Sequence, residues 1–349
     1  MDCLVQRDYD AHAKCQMKIS VSIVIPMYNA EKHIVRVLES LLSQDFEGNK
    51  EVIVVNDGST DTSRDLIRSF EREGKIRVID QPNQGAVAAT NNGFQAARYN
   101  IICSVDSDVV LHRDWLRKII MEFDDPQVGA VQGYYKTPKN ISFWAKMMGY
   151  DVEKRYDDIP GKYVTQVCTG DTAYRRVAVD QAGLFDPAFV YGYDNDMSYR
   201  LQKAGYKLVF RKDALCDHYW KEDLKSYIHQ QYRSAYGRIR LIQRHKDKIT
   251  GDSVSGLRMI LQVPLMLLSA FLLLAGTATY FIGFTSLFLW SGLALLCIIL
   301  VDRLTFTVSI LKKQKDLLAA FLPFVHLLRN IVWSWAFLMW TARKLRNKS

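Results

Sequence analysis

From Met259 to Val301 the chain runs for 43 residues without Asp, Glu, Lys or Arg. As one helix this stretch would be about 64 Å long, roughly twice the 30 Å hydrocarbon core of a bilayer. It therefore reads as two membrane spans, Leu257–Ile282 and Phe284–Val301, with a turn near Gly283 in the segment YFIGFTS. Two adjacent uncharged segments of this length are foreign to soluble cores. Basic residues flank both sides: Arg238, Arg240, Arg244, Lys246, Lys248 and Arg258 before, and Arg303, Lys312, Lys313 and Lys315 after. By the positive-inside rule both flanks face the cytoplasm.

The first eighteen residues, MDCLVQRDYDAHAKCQMK, are charged throughout and contain no apolar core of a secretory signal. The expected organisation is a cytoplasmic domain over residues 1–250 and a membrane region over 251–349, making a multi-pass protein of the cell membrane. A third apolar stretch, Leu317–Trp340, holds His326 and Arg329 near its middle and ends in the basic tail ARKLRNKS. An arginine at bilayer depth costs about 2.5–3.5 kcal/mol. The stretch reads as an interfacial or re-entrant helix with Trp333, Trp335 and Trp340 at headgroup level, the alternative being a third span. Cys3, Cys15, Cys103, Cys168, Cys216 and Cys297 form no CxxC pair, which fits reduced thiols and argues against a zinc site.

The formal net charge is +9, yet one apolar run, IICSVDSD, ends in two acids, Asp106 and Asp108. The preceding hundred residues alternate strand-like and helix-like segments. Ile19–Ile25 is followed by Ile34, Leu38, Leu41 and Leu42 at helical spacing. Glu51–Val55 is followed by a helix with Leu66, Ile67 and Phe70 inward, and Lys75–Ile79 by an alanine-rich helix to about Ala97. This is an α/β pattern, a mostly parallel sheet with helices on both faces. In such sheets ligands bind beyond the carboxyl ends of the strands, so the acids are delivered to a shared crevice. Neither G-x-G-x-x-G after the first strand nor G-x-x-x-x-G-K-[ST] is present, which leaves no dinucleotide fingerprint and no P-loop. A divalent cation, Mn2+ or Mg2+, bridging carboxylates to a diphosphate is the simplest alternative. No nucleic-acid partner is called for.

In order along the chain, SIVIPMYNAEKHI, VIVVNDGSTDTS, QPNQGAVAATNNGFQAA, SVDSD and CTGDTAYRRVAVDQAGLFDPAF resemble the blocks of the inverting family 2 glycosyltransferases of GT-A fold, as does YGYDNDMSYRLQKAGYKLVF. The resemblance extends to about residue 250. It implies that Pro26, Tyr28, Asn29, Glu31, Asp57, Gly85, Asn91 and Asp106 hold the donor nucleotide, Asp57 against its base. It implies that Asp108, with Asp106 and His218, holds the metal, and that Thr169, Gly170 and Asp171 shape the sugar and acceptor side. Asp194 matches the general base, with Asp196 as a competitor. Tyr193 stands where an acid is usual and Thr90 where many relatives carry arginine.

The donor implied is a nucleotide-diphosphate sugar, a UDP-sugar favoured, and the acceptor a lipid-linked or other glycan hydroxyl. The basic segment His229–Lys248 either faces anionic headgroups or a polyprenyl diphosphate, or only sets topology. A polyprenyl-phosphate sugar transferase and a processive polysaccharide synthase are the alternatives, although Gln230–Ser234 lacks the tryptophan of the synthases' QxxRW block.

Overall fold

A computed structural model of the chain describes residues 19–282 and 286–346, so Gly283, Cys3 and Cys15 lie outside the described residues. Strands β1 (Val21–Met27), β2 (Lys50–Asp57), β3 (Arg77–Gln81) and β4 (Ile101–Val105) form a parallel array in the order β3-β2-β1-β4. Helix α1 (Ile34–Leu42) follows β1, and α2 (Ala86–Ala96) follows β3. Six of the seven residues of β1 and all of β4 are buried, as expected for strands covered on both faces. Gly93 lets α2 lie on β1, since a Cβ there would come within 2.1 Å of Val24 Cγ1.

Two helices depart in detail from the spacing argument. In α1 the core position goes to Val37 and not to Leu42. The helix after β2 breaks at Ile67 into Ser63–Leu66 and Arg68–Arg72, so Ile67 is fully buried while Leu66 turns outward and is 38% exposed.

Beyond β4 the sheet is mixed. Strands β5 (Val109–Leu111), β6 (Val128–Lys136), β7 (Tyr163–Val164), β8 (Asp171–Arg175) and β9 (Lys207–His218) extend it in the order β4-β8-β6-β9-β5, with β7 also on β9. Because β8 runs antiparallel to β4, its amino end meets the carboxyl end of β4, with Asp171 opposite Val105. Strand β9 is parallel to β6 and ends at His218, opposite Val109 of β5. Helices α3 (Phe143–Asp157) and α4 (Tyr193–Lys203) lie in this half.

Helix α5 (Leu224–Arg244) leads to three long apolar helices, α6 (Gln262–Phe281), α7 (Leu287–Gln314) and α8 (Leu322–Arg346). With their short leading turns these are Leu257–Phe281, Leu287–Gln314 and Leu317–Arg346, each long and apolar enough to cross a membrane. Small residues let α6 and α7 approach closely. Ser269 Oγ donates to the Gly292 carbonyl at 2.8 Å, and a Cβ on Gly276 would overlap the Leu289 backbone.

Helix α7 continues past Val301, where charges resume, for about 20 Å at about 1.5 Å per residue. Its end docks on α3: Lys313 Nζ lies 2.7 Å from Asp157 and 3.3 Å from Glu153, and Gln314 Nε2 donates to Glu153 at 2.8 Å. Asp316, just after it, receives Lys146 at 2.9 Å and the Tyr150 hydroxyl at 2.8 Å. His326 and Arg329, the polar residues that interrupt the third stretch, both face Asp151 of α3, at 3.0 and 3.5 Å. Arg329 also donates to Gln262 Oε1 at 3.0 Å. From there α8 lies along α5, with Trp333 Nε1 donating to Gln231 at 3.1 Å and Arg343 over the ring of Tyr236.

Removing Asp151 leaves His326 and Arg329 without their shared carboxylate in a buried setting. Asp151→Ala is therefore expected to destabilise the chain by about 3 kcal/mol, read as a lowered thermal unfolding midpoint of the purified full chain.

Candidate active site

The turn between β4 and β5 carries Asp106 and Asp108. The Asp106 N–H donates to the Gly170 carbonyl at 3.0 Å, which pins this turn to the start of β8. Only glycine fits at 170, because a Cβ there would sit 2.4 Å from Asp106 Oδ2 and 2.5 Å from the Tyr135 hydroxyl. Burial, and then the charge of Asp108 beside it, push the Asp106 carboxyl up to about 6. Burial also acts to raise Asp108, but His218 at 3.3 Å, Lys221 and His33 outweigh it and hold the group below its ordinary value.

His218 is packed between Tyr135 and Trp220, and its Nδ1 is buried with no hydrogen-bond partner. His33 stacks on Tyr219 with ring centroids 4.6 Å apart, and the Tyr219 N–H donates to the Asp108 carbonyl at 3.0 Å.

Among the described residues no group of three or more His, Cys, Asp or Glu side chains converges into a closed metal cage. The donor set suits an open site instead. Mg2+ or Mn2+ typically takes one or two carboxylates and keeps its other positions for water and substrate phosphate, and Mn2+ accepts imidazole. Two acids two residues apart, one of them raised by the other, are what such a cation neutralises. The residues present fit the metal in that form.

Across the crevice, Asp194 occupies the first turn of α4. Its Oδ1 accepts only the neighbouring Asn195 N–H, at 2.9 Å, and no ion pair reaches it among the described residues. Burial above all, with a smaller contribution from Asp252, pushes its carboxyl up to about 6, against the pull of Arg238. It is close enough to Asp106 to raise that group as well. Tyr193 is packed edge-on to Phe185, and its hydroxyl accepts from Thr169 Oγ1 at 3.2 Å.

Asp196 is no competitor for Asp194. It is fully buried, with Arg200 at 2.7 Å, His245 at 2.8 Å and Arg244 at 3.5 Å. Two residues along a helix turn a side chain by about 200°, so only one of the two acids can face the crevice. Asp171 also departs from its expected place on the acceptor side. It is 0% exposed beneath the floor, beside the Cys216 thiol at 3.4 Å, and burial pushes its carboxyl well above the usual range. Thr169, 4% exposed, and Gly170 lie at the turn where Asp106 is pinned to the start of β8.

The residues expected around the nucleotide divide into exposed and bracing groups. Pro26 is opposite Val55 near the end of β1, and Tyr28 presents its ring to solvent, 48% exposed. Asn29 adopts a left-handed backbone, tolerable for asparagine, and its amide is tied to Thr60 at 2.8 and 3.3 Å. Glu31 accepts from the Thr62 N–H and hydroxyl.

Asp57 is 2% exposed and accepts from Gln81 Nε2 at 2.7 Å and from the N–H groups of Gln84 and Gly85 at 2.8 Å each. It thus shapes the loop before α2, and three donors on a carboxylate with about four acceptor sites leave Oδ2 able to accept one more. Asn91 exchanges a pair of amide hydrogen bonds with the Phe185 backbone, at 2.7 and 3.0 Å. Thr90 is buried and turned back onto the Ala86 carbonyl.

Three arginines of α5 reach protein partners: Arg238 pairs with Asp252 in the segment after the helix at 2.9 Å, Arg240 donates to the Ala188 carbonyl at 2.8 Å, and Arg244 pairs with Asp186. Arg240 and Arg244 thereby hold the loop before α4, while Arg233, Arg240 and Arg244 stay exposed on the helix surface. The site residues that the spacing argument missed are His33, Lys221 and Tyr135. His33 follows Glu31 in the loop after β1, and Lys221 follows His218 off the end of β9, so both sit at strand ends that a topology-first reading could have searched.

Residues 22–184 match the model of Glycosyl transferase family 2. The poly-beta-1,6-N-acetyl-D-glucosamine synthase of Staphylococcus aureus is 27% identical over 225 residues, covering 62% of this chain and 54% of that protein. The chain thus spans about half the length of the curated relatives it matches. Among solved structures, S. aureus TarS in complex with UDP-GlcNAc superposes with a TM-score of 0.50 at 18% identity, covering 70% of this chain and 72% of that one. The mannosyltransferase PcManGT of Pyrobaculum calidifontis, in complex with GDP-Man and Mn2+, reaches 0.55 at 16% identity over 95% of this chain and 93% of its own. The chain accordingly carries a Glycosyl transferase family 2 domain over residues 22–184, built on a GT-A-like fold.

Proposed function

We propose that this chain is a membrane-seated inverting glycosyltransferase, moving a sugar from a nucleotide-diphosphate donor to a hydroxyl of a lipid-linked or glycan acceptor. The observation that carries the reading is Asp194: a carboxylate with no ion pair among the described residues, near enough to Asp106 to raise that group. A divalent cation on Asp106 and Asp108, with His218 beside them, would supply Lewis-acid stabilisation of the departing diphosphate. Asp194 takes the proton of the acceptor hydroxyl as that oxygen attacks the anomeric carbon. Asp108 is held ionised by His218, and Gly170 keeps the floor low enough for Asp106 to stay in place. A UDP-sugar is the favoured donor, in keeping with the UDP-GlcNAc held by TarS. A processive synthase is the second reading, favoured by the similarity to the S. aureus synthase over 225 residues.

The membrane seat is proposed as two crossings, α6 and the apolar part of α7, with α8 in the plane of the interface. Helix α8 lies along α5, and α5 carries Lys225, Arg233, Arg238, Arg240 and Arg244, charges that would have to enter hydrocarbon if α8 crossed. Its opposite side exposes Phe324, Ile331, Trp335, Leu338 and Leu345 as one stripe, the form of a helix lying in a headgroup layer. The domain boundary near residue 250 and the cytoplasmic placement of the catalytic part belong to the same proposal.

Asp194→Asn is expected to lower kcat by about 10²–10⁴-fold with donor binding retained, measured as nucleotide-diphosphate release. In the parent chain kcat should fall as pH drops through about 6, where Asp194 takes up its proton and ceases to be a base. A flat profile from pH 5 to 8 would contradict the assignment.

Chelation should abolish turnover and added Mn2+ restore it, whereas Asp108→Ala should stay inactive at any Mn2+ concentration tried. Turnover unaffected by chelator would remove the metal from the mechanism.

For topology, Phe281→Cys should react with an impermeant maleimide from outside intact cells and Leu345→Cys only after permeabilisation, relative to the unsubstituted chain. Labelling of both from outside would make α8 a third crossing.

A further inference from the structure

Residues 249–256 join α5 to the first apolar helix, and they are stitched into the back of the crevice. The Asp252 side chain is 0% exposed. Its Oδ2 accepts from Arg238 Nη1 and the Tyr199 hydroxyl at 2.9 Å each and from Asn195 Nδ2 at 3.3 Å. Its Oδ1 accepts the N–H groups of Val254 and Ser255 at 3.0 and 2.7 Å, closing the linker into a turn. Next to it, Ser253 and Thr165 exchange hydrogen bonds at 2.9 and 3.2 Å.

One carboxylate therefore gathers three elements: α5, α4 and the lead into the membrane. Asn195 and Tyr199 both belong to α4, and Asn195 is the residue whose N–H caps Asp194 Oδ1. The neighbouring strip of α4 is held too, since Ser198 Oγ donates to the Asp194 carbonyl at 2.7 Å and accepts the Val167 N–H at 3.0 Å, just before Cys168 and Thr169.

We propose that Asp252 is a positioning residue for Asp194, acting through Asn195 and Tyr199, so that the membrane lead and the catalytic base move as one body. This rests on the reading of Asp194 as the base. The linker turn orders the first turn of α4, and with it the carboxylate. A base displaced by an ångström loses rate without losing donor affinity, because the donor is held on the opposite wall by the β1, β2 and β4 loops.

The test uses the full chain in detergent or nanodiscs, with Asn195→Ala and Asp252→Asn beside Asp194→Asn. Asn195→Ala removes the tie nearest Asp194 and leaves Asp252 joined to Arg238 and, further along α4, to Tyr199, so its unfolding midpoint should stay near that of the parent. In both tie variants kcat should fall about tenfold or more while the donor KM stays within about twofold. Parent-like kcat in both, with Asp194→Asn inactive, overturns the positioning role and leaves the base assignment standing. An active Asp194→Asn overturns the base assignment and this inference with it. A donor KM raised along with the loss of kcat in Asn195→Ala would also overturn it, since the tie would then be shaping the donor wall.

Discussion

The hydrogen bond from the Asp106 N–H to the Gly170 carbonyl is the seam on which the site depends. It continues the antiparallel pairing of β4 with β8 by one residue past the strand end. Parallel strands alone would bring the loops after β1, β2 and β4 together and leave the other wall of the crevice unbuilt. The reversal at β8 brings Gly170 and Thr169 to the acid pair, and α4 then presents Asp194 from the far side. The glycine is required because the seam leaves no volume for a Cβ between Asp106 and Tyr135.

Much of the first half was legible before any coordinates. Continuous apolar runs ending in polar turns describe the β3-β2-β1-β4 array, and the acids do lie at the carboxyl end of β4. The mixed second half was not, because whether β8 pairs parallel or antiparallel is decided by tertiary partners and leaves no mark in local spacing. Helix geometry explains one error that could have been avoided: Asp194 and Asp196 cannot share a face of α4. Asp57 and Asn91 show what spacing cannot announce: Asp57 braces the loop before α2 and Asn91 ties its helix to the Phe185 backbone, partners that lie far off in the chain.

Charge in this chain works mainly between parts of the protein. Arg240 and Arg244 of α5, which as a sequence belong to a basic patch, grip the loop that leads to α4, and Arg238 grips Asp252 beyond the helix. The acids of α3 receive Lys313, His326 and Arg329, so the apparent mismatch of charges within an apolar segment resolves into docking of that segment on the α/β unit. These contacts also hold the apolar helices against the side of the sheet that carries β6.

The turn at Asp252 bears on where the polypeptide can be divided. Judged by composition, the α/β unit ends near residue 250; judged by hydrogen bonding, it runs on through Val254, which packs against the main core. A fragment cut at the compositional border would keep every crevice side chain yet leave Arg238, Tyr199 and Asn195 facing an empty acceptor position. Any excision meant to preserve the crevice has to fall after Ser255, on the apolar-helix side of the knot.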